Sequence, residues 1–219
     1  MFMSSFLTEY QLVDSFQSIS KSTFNLECAL EVDVGNGIAD IVLYSPKNDV
    51  VSQGDLSLIN PRLAYALHVL PINESFSVSD FSSLIISSKK TAQEALYSFM
   101  AAGFCEYLAV EKKWVKKTEP QKVAEELIAV EAKLRDWKKA LKQAYRYLDY
   151  ADQSWVLLDD KHVNPAIKNL SEFRRLKVGL ASISTGGDIK IIFSPEKTKA
   201  RFEISVWAAN THIAKYINH

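Results

Sequence analysis

The chain has 219 residues, of which 47% are hydrophobic and 24% charged, and its seven Gly and six Pro are too few for a fibrous or disordered chain. Twenty-six Lys and Arg against twenty-six Asp and Glu give a formal charge of zero, which excludes a polycation that coats nucleic acid by bulk charge but leaves room for a local basic face. Two cysteines, Cys28 and Cys105, cannot build a disulfide framework or a four-cysteine zinc site.

The opening MFMSSFLTEYQL lacks a basic region followed by a sustained apolar stretch, and no run approaches membrane-spanning length, so a cytoplasmic setting without a membrane partner is expected. Thr8, Glu9, Leu12, Val13 and Phe16 have the spacing of a capped amphipathic helix. Residues 25–34 and 38–44 read as strands around the turn signal Gly35-Asn36-Gly37. After Ser45-Pro46-Lys47-Asn48 the texture becomes helical from about Leu58 to Thr118, ending in a short strand pair. Strand texture returns over 127–134, followed by a helix from about Arg135 to Tyr150 and a strand at 154–158. A helical stretch from Asn164 to about Leu180, a turn at Gly186-Gly187-Asp188, a strand at 189–193 and a helical tail around 206–217 complete the chain. The outer segments, 1–57 and 119–219, read as one α/β core, with 58–118 inserted between two of its strands.

The strand LIAVEAKL carries the most information. Alternation puts Ile128, Val130, Ala132 and Leu134 on one face, with Glu131 and Lys133 on the other, about 6–7 Å apart. Charges inside an apolar run are costly unless they are paired or bind a ligand. Asp40 sits in the same way between Ile38 and Val42. If the two strands are neighbours, Asp40 and Glu131 point into one cleft. With a nearby backbone carbonyl they make the hard, all-oxygen site that Mg²⁺ prefers. Lys133 could then orient or deprotonate an attacking water, or stabilise developing phosphate charge. The plainer reading is a structural ion pair at a strand end.

On the helix that follows, Trp137, Leu141, Ala144 and Leu148 form a packing face. Arg135, Lys138, Lys139, Lys142 and Arg146 form a basic stripe, suited to a phosphodiester backbone or simply to solvent. Gln143 and Tyr147, four apart, share a side. Asp40, then Glu131-Ala132-Lys133, then Gln143-Ala144-Tyr145-Arg146-Tyr147 resembles the PD-(D/E)XK nuclease superfamily, in its RecB-like branch with a Q-x-x-x-Y motif. The resemblance covers about residues 5–46 and 126–195. It implies a restriction-endonuclease-like fold of the α/β (α+β) class, a mixed central sheet flanked by helices. It also implies Asp40 and Glu131 as metal ligands, Lys133 as catalytic lysine, Glu9 as the acidic residue of the first helix, and Gln143 and Tyr147 in support. Ala39 stands where the family usually has Pro, and the interval from Asp40 to Glu131 requires an insertion.

Within that insertion, Asn60-Pro61 opens a helix with Leu63, Leu67 and Leu70 on its apolar face, closed by Pro71. Ser77 caps a second helix through Phe81, Leu84 and Ile85. Ser88 caps a third, with Ala92, Ala95, Leu96, Phe99 and Met100 inward and a stop at Gly103. Residues 104–110 and 113–117 read as a hairpin around Glu111-Lys112. This order, with its Ala-Ala-Gly-Phe junction, resembles a winged helix-turn-helix subdomain. The resemblance implies that Lys89, Lys90, Thr91 and Gln93 face the DNA major groove, and that Lys112, Lys113, Lys116 and Lys117 touch phosphates. Seven Lys against four Glu over 87–122 give a modest basic bias.

No nucleophile-elbow or P-loop motif occurs. His68, His162, His212 and His219 have no metal-site spacing, the four Trp read as packing residues, and Cys105 has no basic partner. The expected function is hydrolysis of phosphodiester bonds in DNA, double-stranded by preference, with Mg²⁺ (Mn²⁺ able to substitute) and with a homodimer or a partner protein as further options. A non-catalytic DNA-binding or regulatory protein on a nuclease-like fold, and a protein-binding module, are the alternatives.

Overall fold

In the computed structural model, which describes residues 5–35, 37–47 and 54–217, the chain divides into two units, Met1–Pro46 with Ala124–Phe202 and Lys47–Val123 with Glu203–His219. Asn36, Asn48 and His219 lie outside the described residues. In chain order the elements are α1 (Glu9–Phe24), β1 (Glu27–Asp33), β2 (Ile38–Pro46), α2 (Ala64–Val69), β3 (Ser75–Phe76), α3 (Val78–Leu84) and α4 (Lys89–Ala101). They continue as β4 (Cys105–Leu108), β5 (Lys113–Lys116), β6 (Ala124–Lys133), α5 (Trp137–Tyr147) and β7 (Gln153–Asp159). Last come α6 (Asn164–Ile167), α7 (Leu170–Leu176), β8 (Gly179–Ile183), β9 (Ile189–Phe193) and α8 (Glu203–Ile217).

The first unit is a mixed sheet of six strands in the order β1-β2-β6-β7-β8-β9. β6, β7 and β8 are parallel, and the remaining neighbours are antiparallel. Thr8 caps α1 by accepting from the Gln11 N–H at 3.2 Å, and Asn25 ends the helix in the left-handed region at φ 55°. The apolar stripe of α1 buries Leu12 and Phe16 against Ile41, Leu43, Val130, Ala132, Leu157 and Ile183. Fully buried side chains of this size each contribute about 1.5–3 kcal/mol. The opposite face of β6 and β7 is covered by α5, whose buried side is Ala140, Leu141, Ala144 and Tyr147. The Ser154 hydroxyl ties the two together by donating to the Ala144 carbonyl at 2.7 Å.

β8 departs from the helical continuation expected through Leu180. Lys177 adopts the left-handed region at φ 56° and ends α7, and all five residues Gly179–Ile183 are buried in an interior strand, parallel to β7 and antiparallel to β9. Such strands read as continuous apolar runs without alternation, which a helix tolerates equally well. Gly179 is required: a Cβ there would stand 2.3 Å from the Trp155 ring on the neighbouring strand.

In the second unit the order is helix, strand, two helices, two strands, with a sheet β3-β5-β4. The Ser77–Asp80 capping box starts α3, and Ser88 caps α4 by accepting from the Thr91 N–H at 3.1 Å. Phe81, Leu96, Phe99, Phe104 and Trp114 fill its core. β3 had no counterpart in the sequence reading, being two residues long. The helical tail, expected with the outer core, belongs to this unit: α8 packs against α2 and two 3-10 turns (Leu56–Leu58 and Pro61–Leu63). Trp207 on α8 stacks on His68 at 4.5 Å, and Lys122 pairs with Glu203 at 2.6 Å. No helix among the described residues is long and apolar enough to cross a membrane.

Candidate active site

Strands β2 and β6 are antiparallel neighbours, with Ile41 opposite Val130. Carried one residue further, that register sets Asp40 beside Glu131, on the sheet face away from α1. The Asp40 carboxylate accepts from the Ala132 N–H at 2.8 Å, which fixes it at the end of β6. Glu131 is wholly buried and Lys133 is 9% exposed. The Lys133 ammonium lies 2.9 Å from Glu131, 3.2 Å from Glu9 and 3.5 Å from Asp40, and donates to the Ala132 carbonyl at 2.9 Å. Three carboxylates and one carbonyl thus converge on one ammonium.

Tyr147 closes the cluster from α5. Its hydroxyl, on a side chain only 1% exposed, contacts the Ile38 carbonyl at 2.7 Å and Glu131 Oε2 at 2.5 Å. One hydroxyl proton cannot serve two acceptors. It goes to the Glu131 carboxylate or to the Ile38 carbonyl, one at a time. Gly37 packs beside the ring; a Cβ there would be in ordinary contact with Tyr147 at 3.6 Å, so the backbone angle, φ 142°, and not lack of space is what favours glycine.

Burial raises the Glu131 pKa, and the nearby Asp40 charge adds to it, while hydrogen bonds from Lys133 and Tyr147 work against it. Burial alone would pull Lys133 down, but Glu131, Asp40 and Glu9 outweigh it and hold the ammonium above the ordinary lysine range. Tyr147 and Tyr150 are both pushed up, first by desolvation and then by the Glu131 charge.

Glu131 Oε1 is buried and, despite its 2.9 Å approach to Lys133, makes no well-directed hydrogen bond. Gln143, half-buried one turn before Tyr147, also carries a buried Oε1 without a hydrogen-bond partner among the described residues. Among the described residues, no group of three or more His, Cys, Asp or Glu side chains is arranged to hold a metal ion. The donor set that fits a hard cation is smaller: the Asp40 and Glu131 carboxylates and the Ala132 carbonyl, with the Glu131 oxygen now facing Lys133 the atom a cation would share.

Lys138, Lys142 and Arg146 are exposed on α5, and Lys89, Lys90, Thr91 and Gln93 are exposed along the start of α4. Lys112, at φ 54° in the β4–β5 turn, and Lys113 are exposed as well. Lys116 corrects the expectation of a phosphate contact. It is 1% exposed, pairs with Glu119 at 2.7 Å and donates to the His68 carbonyl at 3.0 Å.

Two groups around the site had no sequence signal. Asp159, buried at the end of β7, accepts from the Phe6 N–H at 3.2 Å and from the Ser5 hydroxyl, anchoring the entry to α1 and so the position of Glu9. Tyr150 packs 6.0 Å from Tyr147 with its hydroxyl buried and unpartnered. Comparison with protein-family models, with curated proteins and with solved structures finds no match to the chain.

Proposed function

We propose that the chain is a Mg²⁺-dependent DNA nuclease of the PD-(D/E)XK type, with the first unit carrying the reaction and the second, as a winged helix-turn-helix, binding duplex DNA. The observation that carries the reading is the fully buried Glu131 held beside Asp40, with one oxygen lacking a directed hydrogen bond and Lys133 against both. Buried carboxylates are costly, and they are found where function uses them.

Asp40, Glu131 and the Ala132 carbonyl would hold the ion. Bound there, Mg²⁺ or Mn²⁺ supplies Lewis acidity to the phosphodiester and to water. Lys133, released from part of its carboxylate contact, would orient the attacking water and stabilise charge on the phosphoryl oxygens. Tyr147 keeps the Glu131 carboxylate in one orientation, as outer partners of ligands do. Lys138, Lys142 and Arg146 would contact phosphates and fix register, not sequence. Plasmid and linear single- and double-stranded DNA, incubated with Mg²⁺, Mn²⁺ or EDTA beside Glu131→Ala, tests the reading. Metal-dependent cleavage lost in the variant is expected, and cleavage at the normal rate by Glu131→Ala rejects the mechanism.

A non-catalytic DNA-binding protein is the second reading. It draws on the closed set of contacts in which Lys133 already engages Glu9, Asp40 and Glu131. It predicts salt-dependent DNA binding without strand scission or metal dependence.

A further inference from the structure

We infer that the outer face of α4 and the β4–β5 hairpin binds unpaired DNA bases by stacking on Tyr97 and Tyr107, so that the DNA recognised carries a single-stranded segment; this rests on the DNA-binding reading of the second unit. Tyr97 is 48% and Tyr107 43% exposed. Neither ring is loose. Tyr97 meets the buried Trp114 edge-on at 5.3 Å and 82°, and Tyr107 leans on the same indole at 5.0 Å. The Gln93 amide donates to the Tyr97 hydroxyl at 3.4 Å. Rings held in this way lose little further freedom on binding.

Along α4, Lys89, Gln93 and Tyr97 follow one another at four-residue intervals and form one ridge. Lys112 and Lys113 stand on the hairpin beside it. Among the described residues, the ammoniums of Lys89, Lys90 and Lys112 make no ion pair and that of Lys113 acts on Asp80 of α3 without a close pair, whereas Lys116 of the same hairpin is matched to Glu119. Glu94, Glu106 and Glu111, also on α4 and the hairpin, offset most of that positive charge. With so small a basic excess, phosphate contact to a duplex, whose affinity comes from released counterions, leaves much of the binding to be supplied by an adjoining single strand. A few lysines beside preset aromatic rings suit a single strand instead, because only unpaired bases offer their faces for stacking.

The test is fluorescence anisotropy with the full chain in EDTA, at fixed salt. The probes are a labelled dT oligonucleotide of about 12 nucleotides, a blunt duplex, and a duplex with a dT overhang. The single strand and the overhang are expected to bind more tightly than the blunt duplex. Tyr97→Leu and Tyr107→Leu should each weaken those two about tenfold, while Tyr97→Phe and Tyr107→Phe retain them. Photocrosslinking of an oligonucleotide containing 5-iododeoxyuridine to the unaltered chain should map to Tyr97 or Tyr107, which decides the matter even if a variant misfolds. Preference for blunt duplex, undiminished dT binding by folded Leu variants, or crosslinks only elsewhere would overturn the inference. No step depends on cleavage, so a chain that nicks no DNA would refute the nuclease reading and leave this test standing.

Discussion

Lys133→Met removes the ammonium from beneath three carboxylates while keeping most of the aliphatic stem. Glu131, wholly buried and 2.9 Å from that ammonium, then has no cation within reach and must take up a proton. Protonating a carboxyl of ordinary value 4.5 at pH 7 costs about 3.4 kcal/mol, which is the ceiling on what Glu131 can contribute. Burial already raises Glu131 in the native chain, and that part comes off the ceiling, so a loss below about 3.4 kcal/mol is expected. In a chain of this size each kcal/mol lost lowers the melting temperature by about 2–4 °C. The sign with pH follows from the raised folded pKa: stability is complete below the unfolded value and falls as pH rises above it. Wild type and variant should therefore converge near pH 4.5 and separate toward pH 7. Adding Glu131→Gln should restore most of the loss. Thermal denaturation followed by circular dichroism at both pH values reads this directly. A variant as stable as wild type at pH 7, or one whose deficit is the same at both pH values, would refute the reasoning.

Tyr147→Phe leaves Glu131 Oε2 and the Ile38 carbonyl without their shared hydroxyl, at a cost of about 1–3 kcal/mol in chemical denaturation. It should also lower the cleavage rate about 10–100-fold, and a rate equal to wild type would remove Tyr147 from the site. Lys89→Ala with Lys90→Ala should reduce the salt slope of duplex binding by about one each, read by anisotropy against NaCl concentration. Lys116→Met should leave that slope unchanged while destabilising the second unit by about 1–3 kcal/mol, because it leaves the Leu67 and His68 carbonyls without their donor. Cys105, its thiol pushed up to about 12 by burial, should resist iodoacetamide in the native chain at pH 8, where only about one thiol in ten thousand is ionised. Rapid labelling seen by mass spectrometry would contradict that burial.

The pairing of Asp40 with Glu131 was legible because strand alternation is strict: Glu131 and Lys133, two residues apart on either side of Ala132, can only share the face opposite the α1 core. Tyr147 was legible in the same way from the 3.6-residue period of α5. The reach of Glu9 to Lys133 was not. It depends on where the chain enters α1, and Asp159, 153 residues away from Phe6, sets that entry through a hydrogen bond with no local sequence trace. Lys116 was misread because nothing in K-W-V-K-K separates it from its exposed neighbours. Its burial comes from the Leu67 and His68 carbonyls and Glu119 closing around the ammonium. The placement of α8 was hidden for a like reason, since an apolar helix near a chain end carries no mark of the core it joins, and the His68–Trp207 stack supplies that mark only in three dimensions.

The most direct measurement is anomalous diffraction from crystals of the chain grown or soaked with Mn²⁺. A single strong peak shared by the Asp40 and Glu131 carboxylates and the Ala132 carbonyl, absent in Asp40→Asn, is the expected result. Mn²⁺ bound only elsewhere, or a Lys133 ammonium still clasped by Glu9, Asp40 and Glu131 at saturating metal, would contradict a divalent-metal reaction centre.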